Sequence, residues 1–153
     1  MKKIWLLFLV SALFSCGNSI ETKKENTARE SEVDRKIALE VLNDYVASCN
    51  ALEDPEKWVS TNPLLTADFK SAYQKMIKDA REEDPELGLG FDPIFNAQDY
   101  PDKGFTIASG KSSDDSVVVL EGIDMKMTVK VRLKAVNGKW LVDGAGVIRM
   151  DDK

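Results

Sequence analysis

Histidine does not occur anywhere in the 153 residues. Its absence excludes Ser-His-Asp and Cys-His nucleophile pairs, histidine-ligated zinc, and the side chain that most often acts as a general base near neutral pH. Cysteine is almost as scarce. Only Cys16 and Cys49 are present, so the fold cannot lean on a disulfide framework. No apolar run is long enough to cross a bilayer: residues 4–14 make up eleven positions, against the roughly 20 a spanning helix needs. Clusters of Lys and Arg interleaved with aromatics are also missing, and the formal charge is −5. Such a surface repels phosphate backbones and argues against nucleic acid as a partner.

What is present first takes the form of an export signal. Lys2 and Lys3 precede the short apolar run, which ends in Leu13-Phe14-Ser15-Cys16. This segment resembles the lipobox of bacterial lipoproteins: an aliphatic residue, two further positions ending in a small one, then cysteine. The resemblance implies a signal peptide over residues 1–15, cleavage before Cys16, and a diacylglycerol on its thiol. Loss of Lys2 and Lys3 would take the charge from −5 to −7. Gly17 at the second mature position, rather than aspartate, implies sorting to the outer membrane of the cell envelope. Residues 16–32 have one aliphatic side chain larger than alanine, Ile20, and no aromatics. They are expected to form a lipid-anchored flexible tether reaching roughly 20–24 Å.

One domain is expected over residues 33–153, large enough for a single core. Val33, Ile37, Val41, Tyr45, Cys49 and Leu52 recur at helical spacing, with Ala38, Leu42 and Val46 beside them. Cys49 on this stripe reads as a small core hydrophobe. Asp54-Pro55 ends the helix, with Trp58 packed beneath the connection. Asn62-Pro63 has the form of an N-cap followed by proline in the first turn, and Leu65, Phe69, Ala72, Tyr73, Met76 and Ala80 mark the buried face of a second helix. Residues 85–104, rich in Gly and Pro, predict a long irregular connection of the kind that often carries function.

Strands follow. Residues 105–109 and 117–120 are short, and residues 125–135 alternate Met125, Met127, Val129, Val131, Leu133 and Ala135 against Lys126, Thr128, Lys130, Arg132 and Lys134. Asn137-Gly138 predicts a type I′ hairpin with a return over residues 140–150. Without a bulge, Ala135 faces Trp140, Leu133 faces Val142, Val131 faces Gly144, Val129 faces Gly146, Met127 faces Ile148, and Arg132 faces Asp143. Gly144 and Gly146 would then leave the apolar face short of side chains, as a hollow or as a bend.

The expected class is therefore α+β: two or three N-terminal helices packed on a curved antiparallel sheet of about four strands. Thr66-Ala67-Asp68-Phe69, the segment Phe91-Asp92-Pro93-Ile94-Phe95-Asn96-Ala97-Gln98-Asp99-Tyr100 and the late Asn137-Gly138-Lys139-Trp140 resemble a family of small bacterial lipoproteins and exported proteins in the nuclear-transport-factor-2-like superfamily, whose sheet is bent into a cone. That resemblance implies a cone with helices at its mouth and does not imply a mechanism or a cofactor.

Candidate contacts for a ligand or partner are Asp92, Asn96, Gln98, Asp99 and Tyr100. The same residues can serve only as turn caps and braces. Tyr45, Gly144 and Gly146 are candidate cavity-lining residues. No metal is expected, because the acidic spacing lacks the calcium-loop pattern. Catalysis would need an aspartate in an apolar pocket beside Tyr45, Tyr73 or Tyr100. The leading expectation is a non-enzymatic envelope module holding a small apolar ligand or an envelope component. The alternative is a lipoprotein that binds a protein partner, of inhibitor or immunity type. A homodimer through the sheet face, with its Lys126/Lys130/Lys134 row, is a further expectation.

Overall fold

The computed structural model describes residues 21–109, 112 and 114–150, with side chains from residue 35 onward. The expected signal peptide and Cys16 lie outside the described residues. Three helices, α1 (Glu21–Asn50), α2 (Pro55–Thr61) and α3 (Ala67–Glu83), precede four strands: β1 (Phe105–Ile107), β2 (Val117–Gly122), β3 (Thr128–Val136) and β4 (Lys139–Ala145). The strands pair in chain order, each antiparallel to the next. The class is thus α+β, with three helices against one open four-stranded sheet.

The inner face of the sheet carries Phe105, Val118, Leu120, Val129, Val131, Leu133, Val142 and Ala145, all buried. Ala38, Val41, Leu42, Tyr45 and Val46 of α1 lie against this face and are also buried, as are Phe69 and Tyr73 of α3. Each large apolar side chain taken fully from water contributes about 1.5–3 kcal/mol, so this layer contact is the main source of stability. Trp58 is buried on α2, and its Nε1–H donates to Asp44 Oδ2 at 3.0 Å.

Helix α1 begins twelve residues before the expected start. Residues 21–32 were expected to be a flexible tether, yet they are helical. They contain no Gly or Pro and consist largely of Glu, Lys, Ala and Arg, which are strong helix formers even without an apolar stripe to bury. At the other end Leu52 is not a core residue. It lies beyond Asn50 at φ 57 and is 91% exposed. Helix α3 is capped by Thr66, whose Oγ1 accepts from Phe69 N–H at 3.0 Å. Asn62 instead ends α2, and its Oδ1 accepts from Leu64 N–H, because residues 64–66 run as a short parallel bridge on β4. Val142 N–H donates to Leu64 O and Thr66 N–H to Val142 O.

At the hairpin, Asn137 and Gly138 both have positive φ, 52 and 76, as a type I′ turn requires. Ala135 faces Trp140 and Leu133 faces Val142, as expected. Beyond that point the register shifts by one residue. Arg132 faces Gly144 and Val131 faces Ala145, so the expected pairs Val131–Gly144 and Arg132–Asp143 are not made. Asp143 is the extra residue of a bulge. The strand then ends at Ala145, and neither Val129–Gly146 nor Met127–Ile148 forms a ladder pair.

The bulge turns the Asp143 carboxylate into a buried polar cluster. Thr66 Oγ1–H donates to Asp143 Oδ1 at 2.7 Å, and Arg149 Nη2 donates to Asp143 Oδ2 at 3.1 Å. A buried carboxylate requires such partners. One side chain also blunts the edge of the sheet. Asn43 of α1 accepts from Phe105 N–H at 2.7 Å and donates to Phe105 O at 3.2 Å. It thereby occupies both outward backbone groups of that residue on edge strand β1, where another chain would otherwise pair.

Candidate functional site

The connection between α3 and β1 holds the five candidate contact residues, and its shape is set by one carboxylate. Asp92 Oδ1 accepts from Ile94 N–H at 2.8 Å and Phe95 N–H at 3.0 Å, while its backbone pairs with Ala97 in both directions. Asn96 closes this loop at φ 55, a conformation asparagine tolerates better than most residues. The loop drives Pro93, Ile94 and Phe95 inward. Phe95 meets Tyr45 at 5.1 Å, Tyr100 at 5.2 Å and Phe105 at 5.9 Å between ring centroids, and Tyr45 meets Trp58 at 4.6 Å.

The hydroxyl of Tyr45 donates to Asp92 Oδ2 at 2.5 Å. Burial raises the Asp92 pKa above the usual carboxylate range, although its three hydrogen bonds oppose the rise. Burial likewise pushes the Tyr45 phenol well above its ordinary range, with the charge of Asp92 adding to the effect. Tyr73 and Cys49 are raised for the same two reasons in the same order. The Cys49 thiol is half-buried and free, and a raised pKa makes it a poor nucleophile.

An aspartate beside a tyrosine is therefore present, the pair that catalysis without histidine would require. The oxygens of Asp92 are nevertheless committed to two backbone N–H groups and one phenol. The space next to Tyr45 is lined by apolar groups including Ala38, Leu42, Trp58, Phe69, Ile94 and Val131, and offers only about 10 Å³ to the centre of a water molecule. That admits about one water and no substrate.

The other candidates serve the loop itself. Gln98 Nε2 donates to Gly90 O at 3.2 Å, and Asp99 Oδ1 accepts from Tyr100 N–H at 2.9 Å. Tyr100 is half-buried on Phe95, whereas the Asn96, Gln98 and Asp99 side chains are exposed. Of the cavity candidates, Tyr45 borders the small apolar space and the two glycines do not. Gly144 lies beneath the terminal turn, where an added Cβ would stand 2.8 Å from Met150 Sδ and 3.0 Å from Ile148 O. Gly146 has φ 59, and a Cβ there would stand 2.3 Å from Pro93 O and 2.4 Å from Ile94 O. It is the point where the Asp92 loop docks on the chain after β4, with Val147 N–H donating to Pro93 O.

Sequence reasoning missed Asn43 and the Thr66–Asp143–Arg149 cluster. Their partners lie 62 and 77 positions away along the chain, so no local pattern marks them. Among the described residues, no group of three or more acidic or thiol side chains converges as a metal-ligand set, and no helix is long and apolar enough to cross a membrane. No family model matches the chain, nor does any curated protein or solved structure.

Proposed function

We propose that this chain is a non-enzymatic, lipid-anchored envelope protein that acts by binding a protein partner on its surface. The carrying observation is the packed interior: the side chains of α1, α3, the Asp92 loop and the sheet leave room for about one water. A small apolar ligand needs a pocket of some hundreds of Å³, far more than this space offers, which favours the partner-binding reading. The Tyr45–Asp92 pair supports the same view, since its polar atoms are used in holding the loop.

Anchoring at Cys16 and an outer-membrane destination rest on the lipobox-like segment and Gly17. The likeness to small exported lipoproteins with a cone fold is in keeping with this reading. A homodimer through the outer sheet face is the weaker reading of the surface. Thr128, Lys130 and Lys134 are exposed there, Lys134 paired with Asp68, and a two-fold pairing centred on Lys130 would set like charges against each other.

Titration of the full chain with a fluorescent polyene fatty acid tests the choice between ligand and partner. The expected result is no saturable signal. A one-to-one isotherm at micromolar concentration would establish the ligand-carrier reading instead.

A further inference from the structure

We infer that the end of the domain formed by the 84–102 loop, the turn after α1 and the β2–β3 turn is the docking surface, and that its occupant is a protein presenting Lys and Arg around an apolar spot. The inference rests on the partner-binding reading above and specifies where and what that partner is.

The large apolar side chains exposed among the described residues are Leu52, Leu87, Phe91 and Ile123, at 91%, 71%, 36% and 55%. Single exposed hydrophobics are ordinary, but gathering them is not. Leu52 and Ile123 follow segments tied to residues 102–104, and Phe91 and Leu87 lie on the loop that Tyr45 of α1 holds through Asp92. Asn50 Nδ2 donates to Asp102 O, Lys103 N–H to Asp124 Oδ1, and Ile123 N–H to Gly104 O. Phe91 directly precedes Asp92, which Tyr45 of α1 holds. Leu87 lies over Gly90, where an added Cβ would stand 3.6 Å from its Cδ2.

Leu52 adds a separate argument. It occupies a left-handed helix-terminating position, φ 57, where glycine or asparagine is the inexpensive choice. Its side chain contributes nothing to the core, so the fold gains nothing from a leucine there.

The surroundings select the partner's charge. Residues 84–102 hold five carboxylates and no Lys or Arg, with Lys103 and Lys126 the basic side chains of the adjoining segments. Asp92 is turned inward to Tyr45, and Glu53, Asp54 and Asp124 add to the rim. A basic protein is attracted to such a rim, whereas anionic lipid and nucleic acid are repelled. The length of α1 fits as well. Its 30 residues span roughly 45 Å, long enough to carry the Asn50 end clear of a membrane when α1 stands upright on an anchor before Glu21.

Photo-crosslinking of the full chain in the cell envelope tests this, with benzoylphenylalanine in place of Leu52, Leu87, Phe91 or Ile123, and in place of Thr128 or Lys130 on the outer sheet face for contrast. The expected result is adducts with one basic protein from the first four positions and not from the last two. They should be lost when Glu53→Lys and Glu86→Lys are combined, with the unfolding midpoint unchanged. Adducts from the sheet positions alone would overturn this surface and leave the partner-binding reading standing. Adducts with lipid, with nucleic acid, with a second copy of the chain or with an acidic protein would overturn the stated occupant, as would adducts that survive charge reversal. No protein adduct at any position would overturn both readings.

Discussion

At the scale of single residues, Asp92 combines several interactions: two backbone N–H groups, the Tyr45 phenol and the turn that buries Phe95. Its pKa is raised by burial, so the folded chain keeps this proton to a higher pH than the unfolded chain does. The folded state then binds more protons, and the contribution of Asp92 to stability is largest below the unfolded value of about 4. It falls as pH climbs through the raised folded value. Asp92→Asn removes the titration while retaining an acceptor for Ile94 and Phe95 and a polar partner for Tyr45. Urea unfolding at pH 4 and pH 8 should show the variant relatively more stable at the higher pH. An unchanged difference between the two proteins across that range would contradict the assignment. Asp92 was legible in sequence as a turn residue. Its bond to Tyr45, 47 positions away, was not, because nothing local marks which tyrosine the loop will reach.

At the scale of elements, what could be read from sequence was what short-range rules fix. The alternation of β3, the Asn137-Gly138 turn and the apolar stripe of α1 each depend on neighbours within a few residues. The bulge at Asp143 depends instead on Thr66 and Arg149, which hold the extra carboxylate, so the register past Leu133 could not be read from the turn alone. The same shift moved Gly144 off the inner face and ended β4 before Gly146. Helix α1 begins before its apolar stripe because the absence of such a stripe argues against packing, not against helix. Gly146→Val provides the test for this scale. With φ 59 and backbone oxygens 2.3 and 2.4 Å from an added Cβ, the substitution combines left-handed strain with a clash against the Asp92 loop. The expected loss is at least about 3 kcal/mol, beyond ordinary overpacking. A tolerated or stabilising valine, measured by urea midpoint, would mean that the loop does not dock there and that a hollow exists.

At the scale of the whole molecule, the account joins an expected lipid anchor, a long first helix, a packed core and the proposed acidic, partly apolar docking surface. The anchor has its own check. Cys16→Ser should abolish labelling by a palmitate analogue and release the chain from sedimented membranes, and labelling that persists in that variant would remove the lipoprotein reading. The central claim, that a surface and not an interior does the work, is tested most directly by the mass of the full chain extracted from membranes and measured without denaturation. The account predicts the chain with its acyl groups, alone or joined to a protein that high salt releases. A stoichiometric small apolar molecule bound to the folded chain, retained in high salt and lost on unfolding, would contradict it.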